Sequence, residues 1–366
     1  MRTAIAVLLL GSLAVAQSPA PGPSFEQLSQ LARKAYESDR RDEAVTFYNR
    51  ALRLRPAWAE GWWALGSIHY EAGRPAPCRD ALQRMVKLDA SAAPGWLVLG
   101  LCEFQLKQYD AAFSDLKRGH MLVPEGLGGK LLDLADYHIA LILIRRGAFE
   151  LAQEFLVKVA WHVKDDAEKM FACGLAALRM PILPDEVPQA DREVVFLAGR
   201  AFWDLATKPP AESEASFAVL LAKYPRFPNV HYFYGTYVAV HRPPESLKEF
   251  QEELRINPAS VPARVQLVLK YLDEPRLDEA LKLAREAVQL SPDSVGCQLA
   301  LGRALTASGD DEGALAAFLA AKKLDPVSPQ VRLFLTGSYR ALGRVEQMRL
   351  EQAEHDRLKA ETSRWP

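Results

Sequence analysis

Seven histidines, four cysteines and a scatter of carboxylates are the residues of this sequence best equipped for chemistry, and their spacing decides whether they can do it. The histidines are His69, His120, His138, His162, His231, His241 and His355. None falls in H-E-x-x-H or beside a cysteine pair, the spacings that hold a zinc ion and its activated water. His231 and His241 are ten residues apart, which does not put them on adjacent turns of one helix. The stretch "PEGLGGKLL" (124–132) offers Gly-Gly-Lys, but Pro124 stands where a phosphate loop begins with glycine, and Leu131 replaces the hydroxyl that would hold magnesium. There is no G-x-S-x-G elbow. The neighbouring acids Asp165 and Asp166 precede a helical pattern, where negative charge favours a helix N-terminus. The expectation is therefore no catalytic residue, no metal site and no cofactor.

Cys78, Cys102, Cys173 and Cys297 form no CxxC. Each lies at or beside a position that the pattern below reads as buried, so they read as small core residues ahead of a disulfide or metal framework. Cys78 and Cys102 are the one pair worth testing as a bridge.

The elements that would position any of these residues show a fixed period. Trp62 and Trp96, Leu65 and Leu99, Gly66 and Gly100, Ala280 and Ala314, Ala287 and Ala321 are each 34 apart, as are Leu267, Leu301 and Leu335, and Pro258, Pro292 and Pro326. A constant period of this length marks an array of small units. Within a period, apolar and small residues fall at places 4, 7, 8 and 11 and again at 20, 24 and 27. That is helical spacing twice, with a turn between, and it predicts two antiparallel helices per unit. Small residues at places 8 and 20 let the two helices approach, large ones at 4, 7 and 24 fill the space beside them, and proline at 32 stops the second helix.

The pattern resembles the tetratricopeptide repeat. Trp96, Leu99, Gly100, Ala112 and Pro124 write its signature once, and Leu301, Gly302, Ala314, Phe318, Ala321 and Pro326 write it again. The resemblance implies an all-α, right-handed α-solenoid of stacked helix-turn-helix units, about eight to nine repeats. Units are read at 25–58, 59–92, 93–126, 133–166, 228–260, 261–294, 295–328 and 329–362. Three prolines in "PILPDEVPQ" interrupt the pattern where a second helix should begin. "ADREVVFLAGRAFWDLA" and "AESEASFAVLLAKYP" follow as a further pair with shifted anchors. Residues 180–227 are thus expected to be an irregular helical segment, with a bend or packing defect near 180–190, between an N-terminal array (25–179) and a C-terminal array (228–362). "RLEQAEHDRLKAET" is polar on most sides and reads as a capping helix.

At the N-terminus, Arg2, the apolar run Ala4 to Leu10, and Ala14 and Ala16 have the layout of a cleavable signal peptide (1–16). A Pro-rich linker (17–24) follows. The expectation is an exported protein, periplasmic or secreted, with no transmembrane segment. Its formal charge is −1 over 366 residues. Basic residues such as Arg40, Arg41, Lys117, Arg118, Arg145 and Arg146 are interspersed with acids, a solvated face rather than a track for nucleic acid.

In the family that the pattern resembles, places 2, 5, 9, 12 and 13 of the first helices line a concave surface. Carried over, these places give an apolar, aromatic groove of Trp63, Tyr70, Leu97, Leu101, Phe104, Tyr137, Leu141 and Ile144. Chaperone-binding members carry Lys and Asn at places 5 and 9 to clamp a terminal carboxylate. Here those places read Ser29 and Arg33, Trp63 and Ser67, then Leu97 and Leu101, so that clamp is absent. Two readings stay open: the groove takes a protein or peptide partner, or it packs against the chain itself or a second copy. The function expected is a non-enzymatic protein-interaction scaffold of the cell envelope or exterior. The alternatives are a self-associating structural subunit, an accessory subunit that positions an envelope enzyme and, as the opposing class, a cryptic enzyme near the 180–195 interruption.

Overall fold

The computed structural model describes residues 22–124 and 128–362. Residues 1–16, read above as a signal peptide, residues 17–21 of the expected linker and the centre of "PEGLGGKLL" lie outside the described residues. Every regular element among those described is helical. They divide into two compact units at Ala90 and Ser91, not near residue 180.

The first unit holds α1 (Phe25–Glu37), α2 (Arg41–Leu54), α3 (Ala59–Glu71) and α4 (Pro75–Leu88). A capping box starts it, in which the Gln27 N–H donates to the Ser24 hydroxyl and the Ser24 N–H donates to the Gln27 side chain. Trp58 is held between Phe25, edge-on at 5.1 Å, and Tyr48, stacked at 5.8 Å. Beneath them Ala32, Ala44 and Ala51 are fully buried.

The second unit continues with α5 (Ala93–Gln105), α6 (Tyr109–Leu122), α7 (Lys130–Arg145), α8 (Phe149–His162), α9 (Ala167–Ala177), α10 (Arg192–Thr207) and α11 (Pro210–Lys223). Its last part is α12 (Val230–His241), α13 (Pro243–Ile256), α14 (Val261–Asp273), α15 (Leu277–Leu290), α16 (Val295–Ala307), α17 (Asp311–Leu324), α18 (Pro329–Ala341) and α19 (Val345–Thr362). Consecutive first and second helices pack pairwise as the spacing demands. Gly100 takes Leu116 against its backbone and Gly302 takes Phe318, where an added Cβ would lie 2.6 and 2.3 Å from those side chains. Ala314 and Phe318 are 0% and 2% exposed. Ser260, Ser294 and Ser328 cap α14, α16 and α18 from the same place in three successive repeats. The protein is an all-α solenoid of repeats.

The segment after α9 departs from the expected defect. α9 is not left without a partner by the prolines, because it pairs with α10 across a loop containing two single-turn 3-10 helices, Pro184–Glu186 and Gln189–Asp191. The contact is backbone on backbone. A Cβ at Gly174 would lie 1.8 Å from the Val195 carbonyl oxygen, and one at Gly199 would lie 1.7 Å from that of Met170. Glycine thus stands on both sides of this crossing, where the regular repeat of α5 and α6 sets Gly100 against Ala112, and α11 packs on α10 as an additional helix before α12 and α13 pair.

Cys173 and Cys297 are free and buried. Burial pushes both free thiols up from their ordinary pKa and away from reactivity. At the end of the stack, α19 is polar outside and buries Leu358 and Glu351, the acid accepting from Lys322 at 2.6 Å and Arg332 at 2.8 Å.

Candidate functional site

The first helices in the middle of the array do not present the open apolar face expected of them. Leu97, Leu101, Tyr137, Leu141 and Ile144 are 2%, 1%, 3%, 4% and 0% exposed, in helices α5 and α7 whose central turns are buried all round. Leu97 lies against Gly119 of α6, where an added Cβ would meet its Cδ2 at 2.5 Å. The Tyr137 hydroxyl donates to Glu168 at 3.1 Å, and burial, then that carboxylate, raises its pKa. These five are interior residues, because an apolar side chain at an inner position is covered wherever neighbouring chain can reach it.

The remaining three, Trp63, Tyr70 and Phe104, are half-buried. Phe104 sits edge-on to Tyr109 at 5.3 Å and to His138 at 4.7 Å, and burial lowers the His138 pKa.

The loop after α9 reaches the end of α7. Arg145 at the end of α7, an inner position, donates from Nη1 to both carboxylate oxygens of Glu186 at 2.8 Å. Glu186 also accepts the Leu183 N–H at 2.8 Å, Leu183 and Val187 are buried, and Arg192 donates to the Pro184 carbonyl at 3.1 Å. Arg145, Glu186 and Arg192 are thus engaged in holding that loop.

An open inner face occurs instead in the last three repeats. A cleft of about 410 Å³ is lined by Leu272 and Asp273 of α14, Arg303, Thr306 and Ala307 of α16, Phe318 of α17, and Leu333, Phe334, Gly337 and Ser338 of α18. Counted along the 34-residue unit, Leu272, Asp273, Arg303, Thr306, Ala307, Leu333 and Gly337 occupy the inner places 12, 13, 9, 12, 13, 5 and 9. The room comes from side-chain size, since Thr306, Ala307, Gly337 and Ser338 are small and an added Cβ at Gly337 would meet nothing within 4 Å. The wall comes from the repeat signature. Gly302 admits Phe318, whose ring stacks on Phe334 at 5.2 Å and 12°, and Phe334 faces the cleft beside Leu333, which is 50% exposed.

Nothing in this lining has the makings of a nucleophile paired with a base. Among the described residues no group of three or more His, Cys, Asp or Glu side chains is placed to hold a metal ion, and no helix is long and apolar enough to cross a membrane.

Models of the tetratricopeptide repeat match residues 29–77 and 271–337, the second segment containing most of the cleft. The chain carries tetratricopeptide repeats in these two segments. Such repeats generally mediate protein–protein interaction and are generally non-enzymatic. A 158-residue stretch, 42% of this chain, is 24% identical to part of the Protein O-mannosyl-transferase TMTC3 of Homo sapiens. It spans only 16% of that relative's length. Among solved structures, the MamA RS-1 ArsTM double mutant is 16% identical with a TM-score of 0.41, covering 47% of this chain and 97% of that one. Yeast Tom70 is 13% identical with a TM-score of 0.34, covering 91% and 92%.

Proposed function

We propose that this protein is a non-enzymatic scaffold that holds a polypeptide segment in the cleft formed by α14, α16 and α18. The observation that carries the reading is the cleft itself, where inner positions of three successive first helices converge on a space walled by Leu272, Leu333 and Phe334. Burying one large apolar side chain there is worth roughly 1.5–3 kcal/mol, enough for an anchor when several repeats contribute. The stack is formed before the ligand arrives, so little ordering cost is charged against binding.

Filling the cleft tests the proposal. Gly337→Trp places an indole in open space without touching the core, and Gly337→Ala is its control. Peptides selected from a random display library on the wild-type protein should bind the Ala variant and lose the Trp variant, while neither variant melts below wild type. Equal binding to Gly337→Trp would remove the cleft from consideration.

We further propose that the protein is exported, on the strength of Arg2, the apolar run that follows and the small residues Ala14 and Ala16. The partner would then be a protein of the envelope or exterior. N-terminal sequencing of the protein recovered from its own cells should begin near Gln17, and a chain that retains Met1 would refute export by this route.

A further inference from the structure

We infer that the segment held in the cleft carries an Asp or Glu side chain beside its apolar anchor, and that Arg303 receives the carboxylate. The inference rests on the polypeptide reading above and names the chemistry of its ligand.

Arg303 is half-buried on the cleft wall, its guanidinium carbon 6.0 Å from the centre of the Phe334 ring. Among the described residues it has no ion pair and no hydrogen-bonded side-chain partner. Several other arginines of these repeats do. Arg264 meets Glu286 at 3.3 Å, Arg276 meets Glu279 at 2.7 Å, Arg332 meets Glu351 at 2.8 Å and Arg344 meets Glu312 at 2.5 Å. The contrast is informative because this surface supplies acids to the arginines it uses structurally. A guanidinium set among Leu333 and Phe334 has given up part of its hydration without receiving a counter-charge, so an arriving carboxylate regains more there than at a fully solvated arginine.

The distribution of charge gives the ligand a direction. The inner positions of α16 and α18 carry Arg303 and Arg340, neither ion-paired among the described residues, while Asp273 on α14 is the acid of the lining. A segment with its acid towards α16 and its apolar side chain over Phe334 and Gly337 satisfies both walls. The reverse placement sets its acid against Asp273.

The experiment uses the full chain and a random dodecapeptide library fused through the peptide C-terminus, so that no free main-chain carboxylate is offered. Clones that bind wild type and not Gly337→Trp should carry Asp or Glu within one or two residues of Leu, Ile, Phe or Met. A synthetic, amidated peptide from the strongest clone should lose about tenfold in affinity when its acid is changed to the amide. Arg303→Gln should bind the acid and amide peptides equally, with the amide peptide as tight as on wild type. Because Arg303→Gln could alter the wall, the acid-to-amide ratio on wild-type protein should also shrink between 50 and 500 mM salt, on the order expected from screening. A wild-type protein that holds both peptides equally, or an Arg303→Gln variant that keeps the preference, overturns the role of Arg303 and leaves the cleft reading standing. A library with no clone sensitive to Gly337→Trp overturns the cleft reading instead.

Discussion

The Phe318 and Phe334 rings lie parallel at 5.2 Å, and through that stack a buried repeat residue becomes the support of an exposed wall. Phe318 is 2% exposed and rests on Gly302. The packing that stabilises the helix pair and the surface offered to a partner are therefore one object.

Adding a methyl group to Gly302 should damage both. Its Cβ would lie 2.3 Å from the Phe318 ring, so Gly302→Ala should cost about 1–3 kcal/mol in chemical denaturation and should also weaken peptide binding. Binding that survives unchanged in a destabilised Gly302→Ala protein would separate the two roles.

The glycines at the α9–α10 crossing should be less forgiving still, because the atoms in the way are backbone carbonyl oxygens. Gly174→Ala and Gly199→Ala should each lose at least about 3 kcal/mol, the upper part of the overpacking range. Gly337→Ala, with open space around it, should instead gain roughly 0.5–1 kcal/mol from helix propensity. Urea midpoints for the three variants, measured side by side, check the order.

Glu351 joins α19 to the helices before it. It is buried, with Lys322 and Arg332 on its two oxygens, so Glu351→Gln leaves two cations facing a neutral amide and should cost about 3–5 kcal/mol. Hydrogen exchange should show the loss concentrated in α18 and α19. A variant as stable as wild type would mean that Leu358 alone seats the last helix.

His231 should make stability depend on pH in a defined direction. Burial lowers its pKa, but hydrogen bonding to Glu249 at 2.6 Å, that carboxylate's charge and the Pro225 carbonyl outweigh burial and leave it raised. A histidine raised in the fold contributes stability that is complete below its ordinary value of about 6.5 and is lost as pH rises through the folded value. His69 and His138 are lowered by burial and act oppositely, withdrawing stability as pH falls. The difference between wild type and His231→Gln isolates the first effect and should narrow from pH 6 to pH 8.5. A difference that widens over that range would reverse the assignment.

The fold was legible because its letters repeat. Ala44, Ala112, Ala152, Ala280 and Ala314 occupy the same place in five repeats and all are fully buried, as a slot between two touching helices requires. The α9–α10 pair was not legible, since Gly174 and Gly199 stand 25 residues apart and fall outside any subtraction by 34. The open cleft was missed for a different reason. Counting apolar inner residues leads to Leu97, Leu101 and Leu141, which the fold covers, whereas space is made by Thr306, Ala307, Gly337 and Ser338. A leucine reads the same whether covered or not; only a run of small inner side chains signals volume.

The touching of bare backbone at Gly174 and Gly199 means that the register of α9 and α10 is set by where they cross, whatever the length of chain joining them. Severing the connection near Pro188 would then yield two fragments that still recognise each other, each restoring what the other lacks. Such a molecule could be assembled from separate pieces at a point where a regular repeat, dependent on its tight turn, would come undone.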